Sequence, residues 1–267
     1  MFFRGVLSMC VSLLLALAPV AGAGAMSVPQ REHHIYQLDF LIFNNIAEGE
    51  LRLDGTDQPN VKRAELVGRT LGLASWLAGN RIQQYIATME TQSDGAMRSL
   101  LYESRVSKRR FGRTKTTRKR FRFDLENRQV VLEKQKNGKF VRKGAFDIPT
   151  GPMPVDILTG FYNLRAGVYG ILQAGARIEI PTVTSKGLST IVVNVLTATQ
   201  RTHQEFFPSK KGMLLQVFLD PEVFETADGG LYLWLDEEGQ PSRVIVENVI
   251  GLGDVKGHLR KEGADEA

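Results

Sequence analysis

The chain has 267 residues, of which 43% are hydrophobic and 24% are charged, proportions typical of a soluble globular protein. They exclude a largely disordered chain, and the length suits one β-rich domain once an export signal has been removed. The formal net charge of +5 conceals a strong asymmetry, because residues 98–143 contain 17 Lys and Arg against four acidic residues.

The first 25 residues are typical of a cleavable signal peptide. A basic start at Arg4 precedes an apolar run from Val6 to Ala18, and residues 21–25 supply an A-x-A cleavage pattern. The run is shorter than the roughly 20 residues that a membrane-spanning helix needs. We therefore expect a periplasmic protein with no transmembrane span in the mature chain. The only cysteine, Cys10, would leave with the signal, so no thiol remains for disulfides, catalysis or metal binding.

Alternating apolar and polar residues predict β-strands through most of the remaining chain. Residues 36–42 show this alternation, with Tyr36, Leu38, Phe40 and Ile42 on one face, and the same frame resumes at Ala47 after the pair Asn44-Asn45. This pattern predicts an opening hairpin that turns at the two asparagines. Further along, the apolar stretch 71–78 is predicted to be helical, and 82–91 is predicted to be a strand.

The most basic part of the chain follows. Phe121 and Phe123 alternate with basic residues, and Asn137-Gly138 is typical of a two-residue hairpin turn. The alternation predicts strands whose basic side chains lie largely on the outward face. The candidate basic surface consists of Lys108, Arg109, Arg110, Arg113, Lys115, Arg118, Lys119, Arg120 and Arg122.

Such a concentration of charge attracts anionic ligands or surfaces through summed electrostatics. Nucleic acid is not expected, because an exported protein seldom meets it. Anionic lipid headgroups, lipopolysaccharide phosphates or an acidic polysaccharide are the expected partners. The alternative is a solvated hairpin whose charges only limit edge-to-edge strand pairing.

One helix is predicted after the basic region. Pro152-Met153-Pro154 imposes an extended approach, and Asp156 is placed to cap the helix. Apolar residues then recur at helical spacing from Ile157 to Val168, and the glycines at 167 and 170 end the pattern. This helix is expected to cover one face of the sheet.

The C-terminal half returns to short strands without a βαβ rhythm. A mainly β fold is therefore predicted, a curved antiparallel sheet or incomplete β-barrel wrapped around one main helix. The domain is expected to cover residues 26–261, with 262–267 as a flexible tail. The predicted strands in this half are 177–180, 188–196, 212–219, 231–235, 242–248 and 254–259.

A curved sheet has an interior that is either packed or open to a ligand. Large apolar residues are the candidates to line such an interior, although each also suits ordinary core packing. These candidates are Trp76, Phe161, Tyr162 and Trp234.

The chain carries no recognisable catalytic or metal-binding motif. His33 and His34 are adjacent, so on a strand they point to opposite faces and do not share a metal readily. A G-x-S-x-G nucleophile motif is missing, and the acidic run 236–238 is better explained as a solvated turn. No cofactor, metal or catalytic residue is therefore expected.

The order of features resembles the DUF3108 family. The resemblance lies in Gly49-Glu50, in the helix pattern from Asp156 through Thr159 and Tyr162 to Arg165, and in the strand 231–236 with its following Pro241. It implies an exported bacterial envelope protein with a half-open barrel like those of the LolA and LolB lipoprotein carriers. The interior of such a barrel would be able to hold an acyl chain, but fold alone does not fix function.

The sequence therefore favours two functions. The first is a non-catalytic periplasmic protein that binds a lipid or another amphipathic or anionic envelope component. The second is a scaffold of envelope assembly that docks an acidic protein partner through its basic hairpin. An envelope glycan or lipid hydrolase is a weaker third.

Overall fold

The structure, a computed structural model, describes residues 29–260 apart from 41–42, 73–74, 76–79, 111, 209–210, 221–229 and 250–252. The predicted signal peptide, most of the predicted helix at 71–78, Trp76 and the predicted tail lie outside the described residues.

The described chain forms fourteen strands and one α-helix, α1 (Ile157–Arg165), which lies between the eighth and ninth strands. The strands are β1 Glu32–Phe40, β2 Phe43–Gly55, β3 Val61–Thr70, β4 Ile82–Thr91, β5 Met97–Arg110, β6 Arg113–Asp124, β7 Gln129–Lys136, β8 Lys139–Asp147, β9 Arg177–Thr184, β10 Gly187–Val195, β11 Met213–Phe218, β12 Leu231–Leu235, β13 Pro241–Val249 and β14 Gly253–Leu259.

All fourteen strands belong to one antiparallel sheet, in the order β8-β7-β6-β5-β4-β3-β2-β1-β14-β13-β12-β11-β10-β9. Helix α1 contacts β3, β4 and β5, and it also contacts β9 at the far edge of the sheet. One short helix reaches both regions only because the sheet curls around it. The prediction of a mainly β fold with an open, curved antiparallel sheet around one helix is confirmed. We call the face toward α1 the inner face and the opposite one the outer face.

One of the two predicted hairpin turns is confirmed, and the other lies earlier in the chain than predicted. Asn137 and Gly138 both have positive φ angles and join β7 to β8, as predicted. The first turn was placed too late in the sequence, because Phe40 already pairs with Phe43. Asn45 instead lies within β2 with a φ of +55°, and its backbone N–H donates to the Asp39 carboxylate. A left-handed asparagine inside a strand has the same sequence signature as one in a turn.

Helix α1 begins where Asp156 was predicted to cap it. The Asp156 carboxylate accepts hydrogen bonds from the backbone N–H groups of Leu158 and Thr159. The helix ends at Arg165, one turn earlier than the apolar spacing predicted, because the chain leaves the helix at Gly167 with a φ of +74°. Val168 therefore lies beyond the helix and is exposed.

The two edges of the sheet, β8 and β9, are bridged by the segment that leads into α1. The Val155 N–H donates to the Pro181 carbonyl at 2.9 Å, and the Thr182 hydroxyl donates to the Val155 carbonyl at 2.7 Å. This pairing is a single parallel bridge and not a strand ladder. The sheet is therefore curled but not closed.

Candidate ligand-binding site

An apolar cavity of about 380 Å³ lies between α1 and the inner face of the sheet. This volume falls within the range of small-molecule sites in proteins. One wall comes from the helix, through Leu158, Phe161 and Leu164, and the others come from strands on both sides of β1. Among the strand residues that line it are Leu38, Leu66, Ile180, Val193, Val217, Leu233 and Val244.

The cavity exists partly because two glycines face each other across the β2–β3 pair. Gly49 is directly opposite Gly68 in the register, and both line the cavity. A Cβ atom at Gly68 would meet no heavy atom within 4 Å, whereas one at Gly49 would lie 3.5 Å from the Tyr36 Cβ. Since Gly68 has no unusual backbone conformation, a side chain there would extend into open space.

A second, polar pocket of about 340 Å³ adjoins the apolar cavity on the inner face of β4, β5 and β6. Gln83 and Tyr85 line both spaces, so the two form one continuous inner surface. We call its three cations, Lys108, Lys115 and Lys119, the inner lysine cluster. Ser104, Val106 and Thr117 complete the described lining.

The sequence prediction placed the basic residues largely on the outward faces of strands, and the structure divides them between the two faces. Basic residues occupy both odd and even positions of β5 and β6, and successive side chains point to opposite faces. The inner lysine cluster faces inward, and the alternation puts Arg113 on the same face near the hairpin tip. The backbone of Arg110 pairs with that of Arg113.

The other four predicted cations, Arg109, Arg118, Arg120 and Arg122, alternate onto the outer face. There the Arg120 Nε donates to the Glu133 carboxylate at 2.5 Å, and the guanidinium lies 4.0 Å from the centre of the Phe140 ring. Arg105, which the sequence analysis did not select, lies directly opposite Arg118.

Like charges face each other repeatedly across the basic strands. Lys108 is opposite Lys115, and Lys119 is opposite Lys134 on β7. Directly opposed like charges destabilise an antiparallel pair. The strand pairing therefore brings four lysines, Lys108, Lys115, Lys119 and Lys134, to the inner face of β5–β7.

The predicted apolar lining residues have different positions. Phe161 lies at the cavity wall. Tyr162, the next residue of α1, is completely buried in the core cluster that includes Leu53 and Met89, and it does not line the cavity. Trp234 lies on the outer face of β12, 1% exposed, under the segment that carries Leu196 and Phe207. Trp234 therefore fills a separate small core and not the interior.

Buried polar contacts hold α1 in place. The Ser99 hydroxyl on β5 donates to the buried Asp156 carboxylate at 2.6 Å, and the Thr159 hydroxyl donates to the same oxygen at 2.6 Å. Burial raises the pKa of Asp156, and the hydrogen bonds from Ser99 and Thr159 only partly oppose this effect. The Asn163 amide bonds both backbone groups of Met97, at the start of β5.

The last residue of α1 forms a buried ion pair with the first strand. Nη1 of Arg165 lies 2.7 and 2.9 Å from the two carboxylate oxygens of Glu32, and His34 Nε2 lies 2.7 Å from the same carboxylate. Burial alone would raise the pKa of Glu32, but contact with His34 and the charge of Arg165 lower it overall. The polar residues of the helix pattern from Asp156 to Arg165 therefore fix α1 to β5 and β1.

The adjacent histidines point to opposite faces. His33 contacts Glu50 at 2.9 Å on the outer face, whereas His34 contacts Glu32 near α1. Within the described ranges, no group of three His, Cys, Asp or Glu side chains is arranged to hold a metal ion.

Sequence reasoning missed several residues of the site. Gln83, Ser104, Thr117 and Gly68 were not selected, and Lys134 was not connected with the inner lysines. The signal was available for β6, because Lys115, Thr117 and Lys119 share the odd-numbered face of the apolar Phe121.

The described fold and cavity define an open antiparallel sheet, curled around one helix, with an apolar interior beside a cationic inner surface. The chain belongs to the DUF3108 family, described as a protein of unknown function, whose sequence model matches residues 35–260. A crystal structure described as a β-barrel-like protein of domain of unknown function DUF1849, from Brucella abortus, aligns at 14% identity with a TM-score of 0.45. The alignment covers 88% of this chain and 98% of that one.

No curated protein matches the sequence. Within the described chain, α1 is too short to cross a membrane, and no other helix there is long and apolar enough.

Proposed function

We propose that this is an exported, non-catalytic protein of the cell envelope that binds an amphipathic, anionic lipid. The apolar part of the ligand lies in the cavity, and its anionic part faces the basic β5–β6 hairpin. The observation that carries the proposal is the continuity of the two spaces, because Gln83 and Tyr85 line both. The signal-like residues 1–25 support a periplasmic location.

The cavity supplies the affinity in this proposal. Transfer of hydrocarbon from water to an apolar site contributes about 0.8 kcal/mol for each buried CH₂ group. An acyl chain that occupies even part of a 380 Å³ cavity therefore binds measurably.

The side chains around the two spaces support binding in preference to catalysis. The described lining residues include Lys, Arg, Ser, Thr, Gln and Tyr, but no histidine, cysteine or carboxylate. General acid–base catalysis most often uses histidine or a carboxylate.

The test is to fill the cavity from Gly68. We expect Gly68→Phe to fold normally and to weaken binding of a fluorescent fatty acid about tenfold or more, because its ring enters the open space beside Gly68. Gly55→Phe is the matched control, since Gly55 also has open surroundings but is exposed and outside the cavity. Equal binding by both folded variants would refute the cavity proposal.

A second function is favoured by the outer face. Arg105, Arg109 and Arg118 present cations away from the cavity and form a surface suited to an acidic protein partner. Reversal of these three charges to Glu is expected to abolish capture of an envelope partner and to leave lipid binding unchanged. If lipid binding falls with partner capture unaffected, this second function is excluded.

A further inference from the structure

We infer that one end of the sheet is a docking surface for an anionic lipid bilayer. We call it the hairpin end, because the β5–β6 hairpin turns there; β1, β3 and β5 finish at this end, and β2, β4 and β6 begin at it. The inference deepens the proposed function and rests on it in one respect, since a lipid-binding cavity needs a membrane that supplies or receives the lipid.

The β5–β6 hairpin extends past both of its neighbouring strands at this end. The pairing of β4 with β5 stops at Ile82 and Ser107, and the pairing of β7 with β6 stops at Lys119. Residues 108–110 of β5 and 113–115 of β6 pair only with each other. The tip of the hairpin therefore projects beyond its neighbours in the sheet.

The projecting tip carries exposed cations. Arg109 and Arg113 are exposed, and neither forms an ion pair with another residue in the described part of the chain. Residues 104–123 contain no Asp or Glu, so the tip has no carboxylate of its own to neutralise these two charges. Exposed cations of this kind are attracted to an anionic membrane surface.

Exposed apolar side chains lie at the same end. Six large hydrophobic residues of the described chain are exposed, and four of them lie within three residues of a strand terminus at the hairpin end. These four are Ile82 on β4, Val141 on β8, Leu188 on β10 and Phe218 on β11, each 43–45% exposed. They come from both halves of the curled sheet. A bilayer contacts side chains distributed in this way, whereas a standard protein interface covers one patch of about 800 Å² on each partner.

The apolar cavity reaches the hairpin end. Thr70, the last residue of β3, and Val249, the last residue of β13, both line it. Helix α1 is fixed at the opposite end of the sheet, where its Arg165 pairs with Glu32, the first residue of β1. Docking of the hairpin end therefore brings the bilayer to the side of the cavity that lies away from this anchor.

The experiment measures sedimentation of the purified protein with two kinds of vesicle. One kind contains phosphatidylcholine with phosphatidylglycerol, and the other contains phosphatidylcholine alone. We expect binding to the anionic vesicles to be about tenfold tighter or more, and to weaken as salt is added, because salt screens the attraction. Equal binding to both kinds of vesicle, or binding to neither, overturns the inference.

Two double variants locate the charged part of the surface. Arg109→Glu with Arg113→Glu is expected to weaken binding to the anionic vesicles about tenfold or more. The matched control, Arg31→Glu with Arg63→Glu, makes the same change in net charge at the opposite end, because exposed Arg31 directly precedes β1 and exposed Arg63 lies near the start of β3. The control is expected to bind like the wild type. An equal loss in both variants shows attraction by overall charge and overturns the assignment to the hairpin end.

A second set of variants tests the apolar part. Ile82→Ser, Leu188→Ser and Phe218→Ser together are expected to weaken vesicle binding about fivefold, because they remove side chains that enter the membrane interface. Val168→Ser with Ile171→Ser is the control, since these exposed residues follow the end of α1. Circular dichroism checks that each variant is folded. A folded triple variant that binds like the wild type overturns the contact of these side chains with the bilayer.

The two proposals fail separately. A protein that binds the fluorescent fatty acid but no anionic vesicle overturns the docking surface and leaves the proposed function intact. A protein that binds vesicles through Arg109 and Arg113 but no fatty acid supports the docking surface and overturns the function proposed for the cavity. Capture of an acidic envelope protein by the hairpin, without vesicle binding, overturns the bilayer as the partner.

Discussion

Asp156 shows how much one residue does in this fold. It caps α1, and its buried carboxylate also accepts a hydrogen bond from Ser99, which ties the start of the helix to β5. The sequence predicted the capping role, because an Asp before a helical apolar pattern is a local signal. The contact with Ser99 was not predictable, since it joins residues 57 positions apart in the chain.

Asp156→Ala is expected to destabilise the protein by about 2–4 kcal/mol, because it removes a helix cap and leaves buried donors without acceptors. Asp156→Asn keeps the capping oxygen and is expected to cost less. Chemical denaturation of both variants measures the difference, and equal losses would contradict the role given to the capping oxygen.

The raised pKa of Asp156 also predicts a pH dependence. A group whose pKa is higher in the folded state favours folding below its unfolded pKa, about 3.9, and loses that contribution as the pH rises through the folded value. The unfolding free energy of the wild type minus that of Asp156→Asn is therefore expected to decrease as the pH rises above about 4. A flat difference would show that Asp156 does not titrate this way.

The Glu32–Arg165 ion pair predicts that the folded state loses stability in acid, the opposite of the pH dependence expected from Asp156. Arg165→Met is expected to cost about 3–5 kcal/mol because it leaves a buried carboxylate without its cation, whereas the double variant Glu32→Leu, Arg165→Met is expected to cost less. The lowered pKa of Glu32 stabilises the wild type above the ordinary value of 4.5, and this contribution is lost as the pH falls through the folded pKa. Denaturation at a series of pH values below 4.5 is expected to show that loss in the wild type and not in the double variant.

At the scale of elements, α1 and most strands were predictable, and the faces of the strands were less so. Helix spacing and strand alternation are local properties that one sequence shows directly. The face of the sheet on which Trp234 lies could not be predicted locally, because both faces of β12 are covered. The segment around Phe207, distant in sequence, lies over the outer face. Alternation cannot reveal which face of such a strand is the interior.

The basic hairpin predicts a conflict between stability and binding. Lys115→Glu converts the Lys108–Lys115 pair into an opposite-charge pair, so we expect it to stabilise the ligand-free protein by about 0.5–1 kcal/mol. The same change is expected to weaken binding of anionic lipid. Because salt screens exposed charges, the stability difference should shrink at high salt. A lower stability of Lys115→Glu at low salt would contradict the assigned register.

At the scale of the whole molecule, the sequence predicted a curved, open sheet, which the structure confirms. The sequence left open whether the interior of that sheet is packed or holds a cavity. The cavity depends on Gly49 lying opposite Gly68, and that register is set by the entire β2–β3 pairing and not by either residue alone.

The occupied cavity is expected to raise the stability of the whole domain. A ligand that binds only the folded state at about 100 times its Kd adds about 2.7 kcal/mol, which corresponds to a rise in Tm of roughly 5–10 °C for a domain of this size. Calorimetry of delipidated protein with and without the fluorescent fatty acid measures the rise. Gly68→Phe is expected to show little change, and an equal shift in that variant would place the ligand elsewhere.

The pairing of β1 with β14 in the middle of the sheet has a consequence for how the protein is made. Tyr36 is opposite Leu259, so β1 has hydrogen-bonded neighbours on both sides only when β14 is present. Until β14 has been synthesised, β1 is an unpaired edge able to associate with other chains. A chain that stops before Gly253 therefore leaves two half-sheets with exposed edges, and the strand pairing that joins them forms only when β14 is present.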